Sequence, residues 1–100
     1  EEFVMNLKIT GLHLDITDAI RARVTEKLQR INRHSDNILS ATVTLSVDKL
    51  EHKAAAQVHL AGKDIYAETV ENDMYAAIDM LADKLDRTLL QHKEKSNSIR

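Results

Sequence analysis

The sequence predicts an α+β domain of order β-α-β-β-β-α, and three observations lead there. Two stretches, around 17–33 and 72–95, carry apolar residues at steps of three and four, the spacing of one helix face. The segments 5–10, 38–48, 54–61 and 63–70 instead alternate with a period of two, the mark of half-buried strands. A helix between the first two strands makes them parallel through a right-handed crossover, while short loops make the last three an antiparallel meander. The result is a four-stranded mixed sheet. Each strand has a single apolar face, so both helices are expected on that face, side by side and roughly parallel, with the other face solvated.

Each element has its own warrant. In Met5 to Thr10, Leu7 and Ile9 share one face and Asn6, Lys8 and Thr10 the other; Gly11 to Asp15 reads as a short connection. Thr17 is suited to cap the first helix, because a short side-chain oxygen reaches a free N–H of the first turn, and Asp18 suits the positive end of the dipole. Ile20, Val24, Leu28 and Ile31 form its stripe, and His34 to Asn37 reads as a polar turn. Ile38 to Asp48 follows, with Ala41, Val43, Leu45 and Val47 pointing one way and Ser40, Thr42, Thr44 and Ser46 the other. Lys49 to Lys53 is expected to be a charged loop. Ala54 to Ala61 turns Ala56, Val58 and Leu60 inward, and Gly62 provides the permissive backbone of a tight hairpin. Lys63 to Val70 places Ile65, Ala67 and Thr69 inward. The closing helix has Asn72 or Asp73 to cap it and Met74, Ile78, Leu81, Leu85 and Leu89 as its stripe; Ser96 to Arg100 reads as a frayed tail.

One hundred residues suit one domain with one core, here assigned to 5–95. Glu1 to Val4 precede Met5 and read as a cloning remnant ahead of the natural start. With one Phe, two Tyr and no Trp the core has to be aliphatic. The lack of Cys excludes disulfides and thiolate metal sites and points to a cytoplasmic home. No apolar run approaches the roughly 20 residues that span a bilayer, so no membrane partner is expected.

Few enzyme chemistries fit. Two glycines, Gly11 and Gly62, cannot make a Gly-rich phosphate loop, and neither a G-x-S-x-G elbow nor an H-E-x-x-H helix is present. The five histidines, His13, His34, His52, His59 and His92, are scattered and read as surface residues rather than ligands. Asp79, Asp83 and Asp86 read as a solvated acidic face before a cation site. No cofactor, metal or small-molecule substrate is expected.

Charge arrangement is the remaining signal. The net charge is −2, so affinity for a polyanion has to come from placement, not total. Arg23, Lys27, Arg30 and His34 line one flank of the first helix, with Arg21 on the opposite flank. Lys84, Arg87, Gln91 and Lys95 line one flank of the second, and Asp79, Asp83 and Asp86 the other. Lysines and arginines on helix exteriors are ordinarily just solvated. Two parallel helices bearing such flanks, however, allow the flanks to meet in one groove or ridge that grips phosphates. With so few aromatics to stack on bases, such a surface would read backbone shape rather than sequence.

The stretches NLKITGLHLDITDAIRARVTEKLQRI and ENDMYAAIDMLADKLDR resemble the ribosome hibernation-promoting factors, the block D-M-Y-A-A-I-D most specifically. The resemblance covers Met5 to about Lys95. It implies a fold similar to double-stranded-RNA-binding domains and a non-enzymatic role. That role is binding the small ribosomal subunit in stationary phase, in the channel of messenger and transfer RNA, and so inhibiting translation. It further implies that basic residues of both helices meet ribosomal RNA. Arg21, Lys27 and Arg30 match in the first helix and Lys84, Arg87 and Lys93 in the second; Arg23 and Lys95 are added from their wheel positions. Asp86 and Gln91 stand where relatives of this kind have neutral and basic residues. The chain is similar to the short type, which acts with a separate modulation factor to pair ribosomes into inactive dimers. A second reading within the same resemblance is a protein-interaction regulator of an alternative sigma factor, docking through the sheet around Thr42 and Thr44.

Overall fold

A computed structural model describes residues 6–34 and 38–98, with the side chains of His34 and of 92–98 excepted. Its elements are β1 (Asn6–Leu12), α1 (Asp18–His34), β2 (Ile38–Asp48), β3 (Glu51–Leu60), β4 (Lys63–Glu71) and α2 (Met74–Ser98). The sheet order is β1-β2-β3-β4, with β1 parallel to β2 and the other pairs antiparallel. This is the α+β architecture that the two periodicities predict. The expected remnant at 1–4 and most of the polar turn at 34–37 lie outside the described residues. The backbone of α2 stays helical through Ser98, into the stretch expected to fray.

Register explains the packing. Ile9, Val43, Ala56 and Ala67 stand side by side across the four strands, and all face the helices. In this row the side chains shrink from β1 towards β4. Small residues let a helix approach a sheet closely, and α2 lies against β3 and β4, where Ala54, Ala56 and Ala67 of the strands and Ala77 of the helix are all buried. The predicted stripes are the core: Ile20, Val24, Leu28 and Ile31 from α1, and Met74, Ile78, Leu81, Leu85 and Leu89 from α2, are all buried. A hydrogen bond from Thr69 Oγ1 to the carbonyl of Ala77, 2.8 Å, ties β4 to α2.

Both helix starts are capped. Thr17 Oγ1 accepts from the N–H of Ile20 at 3.2 Å, and Asp73 Oδ2 accepts from Ala76 at 3.0 Å, which decides between Asn72 and Asp73. The strands run longer than alternation alone indicates. β1 continues through Gly11 to Leu12, and the chain then turns at His13, whose φ is 57°. Gly11 is required by its surroundings: a Cβ there would lie 2.2 Å from the carbonyl oxygen of Leu14. The expected charged loop 49–53 shrinks to a two-residue turn, Lys49 and Leu50, with Lys49 left-handed at φ 58°. Glu51, His52 and Lys53 pair with β2, and His52 and Lys53 also pair with β4. Their charges hid a strand whose alternation continues, since His52 is in phase with Ala54. A register shift between Ile38 and Ser40 leaves Leu39 exposed and lets Ile38 and Ala41 both face inward, an irregularity the alternation does not reveal.

Leu85, 1% exposed, sits mid-stripe. Leu85→Ala is expected to cost about 2–5 kcal/mol in urea unfolding. Gly11→Ala, by forcing the 1–3 kcal/mol backbone adjustment typical (roughly) of overpacking, should also lower the midpoint without changing the slope.

Candidate nucleic-acid interface

The helices are parallel, as strand directions require. Arg23 and Lys27 face Asp79, and further along Lys27, Arg30 and Ile31 line one groove with Ala82, Asp83 and Asp86, so residue numbers rise together on both sides. This groove is narrow, about 70 Å³.

What meets in it differs from expectation. The basic flank of α1 faces the acidic flank of α2, and the basic flank of α2 lies on the other side, along β4. The two basic flanks do not join in one groove, and the acidic residues separate them. The reason is rotational: each stripe must face the sheet, and with parallel helices this turns opposite flanks towards each other. Flank positions were readable from each helix alone. Which flank faced the neighbour depended on which side of α1 the second helix took.

The seam is built from three side chains. Arg23 Nη2 donates to Asp79 Oδ2 at 3.3 Å, and Arg23 Nε lies 3.2 Å from Oδ1 without hydrogen-bond alignment. Lys27 Nζ is 3.6 Å from the same Oδ1. The Arg23 guanidinium also lies over the ring of Tyr75, 5.5 Å from its centroid, a cation–π arrangement. All three groups of the ion cluster remain partly exposed, at 38% for Arg23, 23% for Lys27 and 40% for Asp79, so the pairs are screened and individually weak.

The other candidates fall into two settings. Arg30 and Arg87 are well exposed on the helix layer, each only loosely engaged by a carboxylate of its own helix: Glu26 and Asp83, both at 3.9 Å. Arg21 is exposed on the far flank of α1, and Arg33, which the sequence argument passed over, is exposed one turn beyond Arg30. Lys84 instead turns to the sheet edge and donates to the carbonyl of Glu68 at 3.0 Å. With Arg87, Met80 and Val70 it borders a shallow depression of about 330 Å³ between α2 and β4. Lys93 and Lys95 lie on the α2 backbone beyond the described side chains.

The open sheet face holds a second feature. Thr42, Thr44, Ser46 and Ala55 floor a trough of about 250 Å³ rimmed by Leu12, Lys53, Gln57 and Tyr66. Tyr66 Oη donates to Glu68 Oε1 at 2.7 Å, and Lys53 Nζ lies 3.6 Å from the same oxygen. Accepting from Tyr66, with the Lys53 charge beside it, holds the Glu68 carboxyl below the usual glutamate range, and the same hydrogen bond holds the Tyr66 hydroxyl above the usual tyrosine range. Among the described residues no group of three or more His, Asp or Glu is placed to hold a metal ion. None of their helices is long and apolar enough to cross a membrane.

This architecture and the two charged helices can be set beside known proteins. The family model described as "Sigma 54 modulation protein / S30EA ribosomal protein" matches residues 7–97. The chain belongs to this family. A relative from Azotobacter vinelandii named ribosome hibernation promoting factor is 50% identical over 91 residues, which cover 91% of this chain and 85% of the relative. Among solved structures, the chain is similar to a ribosomal subunit interface protein from Coxiella burnetii, with TM-score 0.86 and 33% identity over 90% of this chain and 99% of that one. It is also similar to the N-terminal domain of Protein Y from Thermus thermophilus, with TM-score 0.82 and 40% identity over 88% and 99%. Family membership bears out the resemblance read from the two helical blocks. It also supports the non-enzymatic reading, since the relatives are named as a hibernation promoting factor and a ribosomal subunit interface protein.

The Tyr66–Glu68 pair gives a direct check. In Glu68→Gln the hydroxyl loses its anionic acceptor, so Tyr66 should titrate lower than in the parent, nearer an ordinary tyrosine, as followed by ultraviolet absorbance. The sign for stability follows from linkage. A raised tyrosine contributes below its unfolded-state pKa and loses that contribution as pH rises through its folded-state value, so the variant should lack the contribution at neutral pH and show a smaller alkaline decline than the parent.

Proposed function

We propose that this chain is a ribosome hibernation factor. It binds the small ribosomal subunit through phosphates of ribosomal RNA, occupies the channel of messenger and transfer RNA, and inhibits translation in stationary phase or under stress. A separate ribosome modulation factor on the same ribosome then helps bring inactive particles together as dimers. The site of action is the cytoplasm, where ribosomes are. The observation that carries the reading is family membership over 7–97 joined to exposed arginines on both helices of one layer.

The physical case rests on phosphate chemistry. Guanidinium groups offer a planar fork to phosphate oxygens, and each phosphate neutralised releases condensed counterions. Arg30 and Arg87 present that fork with little internal competition, and Arg21 adds another on the outer flank of α1. Lys27 and Lys84 also belong to the proposed surface, but each spends its ammonium inside the fold, on Asp79 and on the Glu68 carbonyl. Lys93 and Lys95 extend the proposal along α2. Lys27 and Lys84 are therefore poor first targets for charge reversal, since the change would alter an internal contact together with the surface.

A second reading keeps the sigma-factor modulation that the family description also carries, with the open sheet face as docking surface. The trough floored by Thr42 and Thr44 favours it. Enlarging both threonines would then abolish function while helix charges would not matter.

The decisive experiment reverses the two exposed arginines. Arg30→Glu with Arg87→Glu should weaken co-sedimentation with purified ribosomes by about tenfold or more near 0.1 M salt and flatten the salt dependence by about one phosphate per residue, with an unchanged unfolding curve. Undiminished binding at moderate salt would remove the helix layer from the interface.

A further inference from the structure

Asp79 stands out because it engages two cations of the other helix from α2. Its side chain is 40% exposed, although Oδ1, the oxygen nearest Arg23 Nε and Lys27, is itself buried in the seam without a hydrogen bond. It faces Arg23 with both carboxylate oxygens, 3.2 and 3.3 Å from Nε and Nη2, and its Oδ1 is shared with Lys27 at 3.6 Å. A planar pair of oxygens against the edge of a guanidinium, with an ammonium alongside, is the arrangement a phosphate would adopt on the same residues. Tyr75, under the guanidinium, keeps Arg23 in place whichever anion it meets.

We propose that Asp79 is an internal competitor for phosphate, a positioning and affinity-setting residue that occupies the Arg23 fork and the Lys27 ammonium in the free protein. It gives them up, wholly or in part, when a nucleic-acid phosphate arrives. This inference rests on the ribosome-binding reading for its biological partner, but its chemistry concerns any phosphodiester polyanion. Cations already neutralised by a carboxylate release few counterions when they meet phosphate, so Arg23 and Lys27 contribute less than their number suggests to affinity and to its salt dependence. Binding is thereby held weak enough to reverse.

The test compares the parent with Asp79→Asn, which keeps the shape and removes the charge, and with Asp79→Ser as a second variant should the amide disturb the seam. Binding is measured against salt on two probes, purified ribosomes and a short RNA duplex of arbitrary sequence. Both variants should bind both probes about three- to tenfold tighter near 0.1 M salt, with a log–log slope steeper by about one to two phosphates' worth. Adding Arg23→Gln and Lys27→Gln to Asp79→Asn should cancel the gain, since the cycle then lacks the groups competed for. A gain on the duplex with no ribosome binding by any variant sustains the competitor role and overturns the ribosome reading. Unchanged or shallower slopes on both probes overturn the competitor role, as does a gain that survives loss of Arg23 and Lys27. Failure of every variant to bind either probe overturns both.

Discussion

The fold depends on one-sided burial. All four strands turn apolar side chains to the same face, in rows such as Ile9, Val43, Ala56 and Ala67, and among the described residues no second sheet covers them. Two helices must therefore share a single surface about four strands wide, which forces them into contact along their lengths. Helices that touch while both stripes point down present flanks to each other, and long charged side chains on those flanks have to be reconciled at close range. The ion cluster of Arg23, Lys27 and Asp79 is that reconciliation. It stabilises the layer little on its own, because its members are partly exposed. Its importance lies in removing the repulsion that two facing rows of cations would create.

The same constraint explains the sheet edge. β4 is an end strand, and its outward N–H and C=O groups are open to pairing with another chain. Because alanines draw α2 close to β3 and β4, the side chain of Lys84 reaches over and satisfies the Glu68 carbonyl. A lysine at an edge also penalises a foreign strand, which would have to bury its ammonium. The residue that wheel geometry assigns to a basic flank is thus held to the backbone by packing distance. On the open face of the same strand the Glu68 side chain does separate work, organising Tyr66 and Lys53 beside the trough.

Much of this was legible in the sequence because the signals were local. The stripes at Ile20 to Ile31 and Met74 to Leu89, the caps at Thr17 and Asp73, and the hairpin at Gly62 each depend on a few neighbouring residues. Elements whose cause lies elsewhere in the chain were not. β3 begins at Glu51 rather than Ala54 because Asp48 and Glu71 are there to pair with it, and charged residues alone do not advertise partners. Gly11 reads as the start of a connection until the Leu14 carbonyl is seen against it. The site divides in the same way. Which residues are basic and which flank they occupy follows from helix arithmetic, whereas the facing of Asp79 to Arg23 is a property of two helices and appears only when both are placed.

Charge sorting on α2 therefore has a different meaning from the one its wheel suggests. Seen alone, a helix with acids on one flank and bases on the other looks made to turn its bases to a polyanion and its acids away. In the assembled layer Asp79 is spent on α1 and Asp83 on Arg87 of its own helix, and the surface left to an incoming polyanion is the set of cations whose partners are weakest: Arg30 and Arg87, with carboxylates at 3.9 Å, before Arg23, whose carboxylate is at 3.2 Å. A chain of net charge −2 can hold a polyanion only if its anions are occupied elsewhere or far from the contact. Here Asp79 is occupied by α1 itself, which damps the local field of that carboxylate without changing the net charge, and it does so at the cost of engaging Arg23 and Lys27, so the cations with weaker partners meet a phosphate first.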